Sequence, residues 1–282
     1  MYKIVRKRVL NPTVTQMEIE APLVAKKARP GQFIILRVDE EGERIPLTVA
    51  GCNAAEGTVK IIFQIVGATT EKLNHKEAGY CIQDFVGPLG VATKVEGLKK
   101  VCIVGGGVGC AIAMPIAEEL HKMGAEVTSI IGFRSKDIVI LEDEFKACSD
   151  RLVLMTDDGT YGRQGNVTVP LKEMLEAGET FDEIITIGPL IMMKFVVAAA
   201  KPFGVPVTVS MNPIMIDGTG MCGGCRLTLH RDGKKLVQFA CVDGPDFNGY
   251  EVDFDEAMSR GRMYAGFERH AYEETCNLFK KA

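Results

Sequence analysis

Asp217, Cys222, Cys225 and Cys241 lie in and just after Ile216-Asp-Gly-Thr-Gly-Met-Cys-Gly-Gly-Cys225. Replace Asp217 by cysteine and the segment takes the C-x4-C-x2-C…C spacing by which thiolates hold a [2Fe–2S] cluster. Glycines at 218, 220, 223 and 224 suit that task. Such a loop must wrap two irons, turn backbone N–H groups toward sulfur, and reach φ > 0 without a Cβ clash. An ionised carboxylate carries the charge of a thiolate, so Asp217 completes the shell at constant net charge, as a harder and less covalent ligand. A three-cysteine zinc site is the alternative. Zinc usually closes with four Cys or His ligands. The nearby His230 is already explained by the alternation and Asp-Gly turn of Arg-Leu-Thr-Leu-His-Arg-Asp-Gly-Lys. The cluster is the stronger reading.

A second group of residues suits phosphate chemistry. Lys99-Lys-Val-Cys-Ile-Val-Gly-Gly-Gly-Val-Gly109 runs from a buried-type strand into a glycine turn, and a helical pattern follows to about Leu120, with Gly124 beyond it. A strand over 126–131 completes a βαβ unit whose helix start faces an anion. The turn departs from G-x-G-x-x-G. Cys110 takes the third glycine position, and no Asp or Glu ends the second strand to hold a ribose. Two more strand ends carry candidate contacts: Asp157-Asp158-Gly159 after 152–155, and Gly188-Pro189 with Met192 after 184–187. Methionines in such a helix more often pack than bind. Arg134 and Lys136 suit a 2′-phosphate or a solvated loop.

The elements that must position these groups are legible in outline. Alternating runs at 13–20, 33–38 and 58–66, punctuated by Gly31, Gly42 and Gly57, predict a small antiparallel barrel. Arg44-Ile-Pro-Leu-Thr-Val49 lies between the second and third. A helix follows Gly67, with Thr69 or Thr70 placed to cap it. The fold class expected is α+β and multi-domain: an antiparallel β-barrel over 1–97, an α/β parallel-sheet nucleotide domain over 98–210, a small cluster domain over 211–250 and a helical tail over 251–282. In the tail Met258, Tyr264, Phe267, Tyr272 and Phe279 recur at helical intervals, for a partner or for the chain's own domain.

Composition excludes more than it assigns. The 282 residues are 46% hydrophobic and 25% charged with net charge −4, and no basic stretch interleaves with aromatics, so nucleic acid is not an expected partner. The most apolar stretch, 101–117, is broken by glycines and Pro115, so no membrane span is expected. Nine cysteines without a secretion signal point to a reducing cytoplasm. Cys52, Cys81, Cys102, Cys110, Cys148 and Cys276 show no ligand spacing and are expected to be buried structural thiols. His75, His121 and His270 carry no assigned chemistry, and no catalytic acid or base is nominated.

These motifs, in this order, resemble the ferredoxin–NADP reductase superfamily, and within it the electron-transfer subunits of dihydroorotate dehydrogenase and their relatives. The resemblance covers nearly the whole chain. It implies FAD in the barrel: Arg44 on the flavin pyrophosphate as a bidentate cation, Pro46 and Leu47 lining the isoalloxazine, and the Thr48 hydroxyl near N5. Val49 and Val66 count with these contacts. Gly67, Thr69 and Thr70 approach the diphosphate, and Gly87, Pro88, Leu89 and Gly90 form the turn leading out of the barrel. It implies NAD(H) on Gly106, Gly107, Val108, Gly109, Asp157, Asp158, Gly159, Gly188, Pro189 and Met192. The superfamily's Cys-Gly-Pro-x-x-Met has Ile187 here in place of the cysteine near the nicotinamide, which removes any thiol role.

Asp217 and the tail bring the chain nearest to small subunits of NADH-dependent ferredoxin:NADP⁺ oxidoreductases. That likeness implies a cytoplasmic heterodimer with a larger flavoprotein carrying FAD and [4Fe–4S] clusters, ferredoxin reached through the complex, and electron bifurcation. Dihydroorotate dehydrogenase and sulfide dehydrogenase subunits are the alternatives.

Overall fold

The computed structural model describes residues 1–281, with side chains described through Glu274. The first sheet comprises β1 (Tyr2–Asn11), β2 (Val14–Glu20), β3 (Phe33–Arg37), β4 (Arg44–Asn53), β5 (Thr58–Gln64), β6 (Cys81–Ile82) and β7 (Asp84–Leu89), with short helices α1 (Pro22–Ala25) and α2 (Ala68–Asn74) between strands. Its order is β6-β1-β2-β5-β4-β3-β7, antiparallel throughout, a nearly closed barrel. Alternation places Met17 and Ile19 of β2 and Ile61 and Phe63 of β5 inside. On β3 both faces are buried. Ile34 and Leu36 join the barrel core, while Phe33 and Ile35 join the core of the rest of the molecule. That explains the unbroken Phe-Ile-Ile-Leu run, and it makes β3 the wall common to both halves.

Thr70 supplies the expected cap, from the third helical position. Its hydroxyl accepts from Val66 and Gly67 N–H at 3.0 Å each and donates to Gly67 O at 2.9 Å.

The second sheet is built from β8 (Lys100–Gly106), β9 (Glu126–Phe133), β10 (Arg151–Thr156), β11 (Arg163–Gln164), β12 (Glu183–Ile187) and β13 (Val207–Ser210). The helices α3 (Gly109–Lys122), α4 (Glu142–Ala147), α5 (Thr168–Glu176) and α6 (Leu190–Ala200) connect these strands. All these pairings are parallel, in the order β11-β10-β9-β8-β12-β13. The connection reverses direction between β8 and β12, so the ends of these two strands form the crevice where open α/β sheets receive ligands.

The hairpin of β14 (Arg226–Arg231) and β15 (Lys234–Phe239) turns at Asp232 and Gly233, both at positive φ (52° and 73°). An Asp-Gly turn of this kind matches the twist of the flanking strands. Strand β16 (Asp246–Asn248) then pairs antiparallel with β13 and completes the parallel sheet's edge. The tail forms α7 (Phe254–Arg260) and α8 (Ala265–Lys281), and α8 lies along α2 of the barrel. Met263, Tyr264 and Phe267 are exposed. The side chains of Cys276 and Phe279 fall outside the described residues. Among the described residues no helix is long and apolar enough to cross a membrane.

The structure corrects one expectation here. Cys102, Cys110 and Cys148 are buried, but Cys52 and Cys81 are exposed. Cys52 sits at the outer end of β4 and Cys81 on the two-residue edge strand β6, where few neighbours cover a side chain.

One polar joint ties the barrel exit to β16. Thr93 Oγ1 donates to Asp246 Oδ2 at 2.5 Å, while Asp246 Oδ1 is buried without a hydrogen-bond partner among the described residues. Burial pushes this carboxyl up; the Thr93 hydrogen bond and the nearby Ser210 hydroxyl oppose the shift, and nearby Glu183 adds to it. The folded state therefore holds this proton more tightly than the unfolded chain, so stability falls as pH rises from the ordinary carboxyl range, ~3.9, through the raised value. Asp246→Asn is expected to lose that component and to melt about 2–4 °C higher at pH 7. Melting curves from pH 4 to 8 check this; an unchanged pH slope in the variant refutes it.

Candidate functional site

The cluster loop folds around its own donors. Gly218, Gly220 and Gly223 adopt φ of +76°, +84° and +66°, which side-chain-bearing residues avoid. The turns bring Asp217 over Cys222, with Oδ1 3.4 Å from Sγ. Asp217 Oδ2 accepts from Cys222 N–H at 2.9 Å, and Oδ1 accepts from Thr219 N–H at 3.1 Å. Burial pushes this carboxyl up, but those N–H bonds and the Cys222 and Thr219 side chains outweigh it and bring it down to about 2. It is an anion at any physiological pH.

Cys225 and Cys241 are both buried, with the Cys225 thiol beside Cys241. Burial, and then the Cys225 thiol, push the Cys241 thiol up to about 12, while Gly220 N–H is aimed at its sulfur. Among the described residues no three His, Cys, Asp or Glu side chains converge as a group that could hold one ion. The donors stand as two pairs instead. Two ligands of one tetrahedral metal, at roughly 2.0 Å for oxygen and 2.3 Å for sulfur, lie about 3.5 Å apart. The 3.4 Å of the Asp217–Cys222 pair fits that separation. A binuclear centre takes two such pairs.

The loop is anchored on both sides. Gly218 packs so closely on β7 and β3 that a Cβ there would lie 2.6 Å from Leu89 Cδ1 and 3.3 Å from Ile35 Cγ1. On the other side Arg260 of α7 donates to Gly224 O at 3.3 Å.

The barrel residues gather on adjoining strands. In register, Thr48 faces Phe33 across β4–β3 and Phe33 faces Leu89 across β3–β7; Pro46 and Val86 likewise flank Ile35. Arg44 is exposed, Pro46, Leu47 and Thr48 are half-buried, and Val49 is buried. Thr69 Oγ1 donates to Glu43 at 3.4 Å, which sets the start of α2 beside Arg44. Val66 is exposed, and a Cβ on Gly67 would meet nothing within 4 Å, so this edge is open. Gly87 lies against Ile34, and Gly90, at φ +74°, fits between the Phe33 ring and Gly244 O. Arg44 and the open start of α2 thus lie at one end of the half-buried stretch Pro46–Thr48.

The glycine turn and the β12 end meet at the switch point. Gly109, the first residue of α3, touches the backbone of the β12 end: a Cβ there would overlap Ile187 O and lie 2.8 Å from Gly188 Cα. Gly107 N–H donates to Gly132 O at 2.9 Å. Pro189 and Met192 close the crevice, Val108 is half-buried at its mouth, and α3 lies against β4. Asp157, Asp158 and Gly159 stand apart from it, at the end of β10 with β9 intervening. Asp158 is taken up by its own turn, accepting from Thr160 N–H at 2.9 Å and Thr160 Oγ1 at 2.7 Å. Sequence reasoning missed the partner of His230, whose Nε2 lies 3.0 Å from Asp253 Oδ2. No local signal pointed to a residue so distant in the chain.

Residues 212–253 match the iron–sulfur cluster binding domain of dihydroorotate dehydrogenase B. The chain is 46% identical over 271 residues to a Thermotoga maritima homolog of the dihydroorotate dehydrogenase B (NAD(+)) electron transfer subunit, covering 96% of this chain and 94% of that one. In three dimensions it is similar to a chain in the structure of the NADH-dependent reduced ferredoxin-NADP oxidoreductase, which gives insights into flavin-based electron bifurcation. There the identity is 44%, the TM-score is 0.89 and 97% of each chain is covered. The ferredoxin reductase of carbazole 1,9a-dioxygenase shares the fold at 19% identity and TM-score 0.64, over 74% of this chain and 67% of that one.

Proposed function

The chain belongs to the family of dihydroorotate dehydrogenase B electron transfer subunits, and from that premise we propose that it is the flavin and iron–sulfur subunit of a cytoplasmic NADH-dependent ferredoxin:NADP⁺ oxidoreductase. When bound, nicotinamide supplies two electrons as a hydride, a [2Fe–2S] cluster accepts one, and FAD does either. The chain's residues supply placement. Arg44 and the start of α2, with Gly67, Thr69 and Thr70, hold the pyrophosphate. Pro46, Leu47, Thr48 and Val49, with Gly87, Pro88, Leu89 and Gly90, would line the flavin ring, and Val66 would join its contacts. Gly106, Gly107, Val108, Gly109, Gly188, Pro189 and Met192 receive the dinucleotide, with Asp157, Asp158 and Gly159 toward its far end. Asp217 and Cys222 hold one iron, Cys225 and Cys241 the other.

The observation that carries this reading is the seat of Gly218 on Leu89 and Ile35. It puts the loop bearing Asp217, Cys222 and Cys225 in van der Waals contact with the strands assigned to the flavin. A relay of single electrons needs that adjacency, and a structural zinc site does not.

The nearby relatives are electron-transfer subunits, so a larger partner is expected. We assign it FAD and [4Fe–4S] clusters, with ferredoxin reached through it. The second reading, a partner of the dihydroorotate-oxidising subunit, is favoured by the family match at 212–253. Reconstitution separates the two. The holo chain is assayed for anaerobic NADH oxidation with each large subunit in turn, and turnover is expected with the bifurcating flavoprotein and ferredoxin plus NADP⁺. Turnover only with the dihydroorotate-oxidising subunit overturns the assignment.

A further inference from the structure

The crevice at the switch point is crossed by a side chain of the chain itself. Met192, on the first turn of α6, folds its thioether back across the switch point between β8 and β12. A Cβ on Gly106 would overlap Met192 Sδ and lie 3.2 Å from its Cε; one on Gly188 would lie 2.7 Å from that Cε. The two glycines at the crevice floor thus leave room for this methionine as well as for a ligand's backbone approach. The side chain is half-buried at the rim of the core, packed against its edge and over Gly106 and Gly188. Methionine is unbranched, with three rotatable bonds, and is displaced at little strain. The neighbouring Met193, by contrast, is buried in the core.

We propose that Met192 is a displaceable plug of the dinucleotide site. It occupies the crevice in the free protein and swings toward solvent when a nicotinamide dinucleotide enters. This rests on the assignment of the crevice to that ligand. A plug lowers apparent affinity by the fraction of time the crevice stands open: if it is open about a tenth of the time, Kd is raised about tenfold over its intrinsic value. It also keeps the crevice between hydride donor and flavin closed between turnovers.

The test is equilibrium titration of the FAD- and cluster-loaded chain with NAD⁺ and NADP⁺, which bind without turnover. Whichever binds the wild-type protein more tightly is expected to bind Met192→Ala about 5–10-fold more tightly still. Met192→Leu, which keeps the bulk, is expected to bind less tightly than Met192→Ala. Mass spectrometry after peroxide treatment supplies an independent readout: the ligand is expected to speed conversion of Met192 to its sulfoxide and leave Met193 unchanged. Wild type that binds with Met192→Ala no tighter, or oxidation unaffected by ligand, overturns the plug alone. Wild type that binds neither nucleotide overturns the site assignment and the plug with it.

Discussion

Asp217→Ala is expected to strip the chain of iron, while Asp217→Cys keeps it. The carboxylate does two things at once. It is the anion paired with Cys222 at 3.4 Å, and it accepts the N–H groups of Thr219 and Cys222 that shape the loop. Alanine removes both, leaving three thiolates for two irons and two backbone donors unmatched. Each such loss costs about 1–3 kcal/mol where the donor is shielded from water. Iron per chain should fall from about two to well under one. Cysteine restores a fully thiolate set at unchanged charge, so iron stays near two. The softer ligand then alters the cluster's EPR spectrum and potential, because ligand identity and hydrogen bonding to sulfur set both. Iron analysis and redox-poised EPR of the three proteins decide it. An Asp217→Cys protein with the wild-type spectrum and potential would show that Asp217 is not bound to iron.

Gly109→Val is expected to be the most damaging single substitution in the nucleotide half. The position has an ordinary helical backbone, so strain in φ plays no part. Space does: a Cβ meets Ile187 O and Gly188 Cα, backbone atoms at and just past the end of β12 that cannot rotate away as a side chain would. Forcing atoms into a closed core typically costs 1–3 kcal/mol and occasionally more. A rigid branched side chain against main chain belongs at the upper end, about 3 kcal/mol. That corresponds to a melting temperature lowered by roughly 6–12 °C. The turns of β8 and β12 are pushed apart, so dinucleotide binding should be lost even below the melting point. Thermal melts and NAD⁺ titration of the holo protein check both; a variant that melts and binds like wild type contradicts the packing described.

What could be read from the residues alone was what chemistry makes local. The iron donors lie within one loop and one hairpin, so their spacing is visible without a fold. Gly67–Thr70 and Gly106–Gly109 are likewise short signatures of helix starts. Strands β1 and β4 were less legible. The first carries Lys3, Arg6 and Arg8 exposed and Lys7 half-buried, and the second includes Pro46, which reads against a strand until its place beside β3 is known. The doubly buried β3 read as an ordinary alternating strand of the barrel, because its two cores are assembled from residues far apart in sequence. The same distance hid the Thr93–Asp246 joint and the fold of Met192 across Gly106. The exposed Cys52 and Cys81 could not be told from buried thiols by composition.

The central claim is that the paired donors hold two irons beside a flavin fed by a dinucleotide. It is tested most directly by EPR of the anaerobically purified chain after addition of NADH, alongside iron and flavin counts on the same sample. The account predicts about two irons and about one FAD per chain, with a reduced [2Fe–2S] signal that grows as the flavin absorbance bleaches. A colourless chain carrying only zinc, or a loaded one in which NADH leaves both cofactors oxidised, would contradict it.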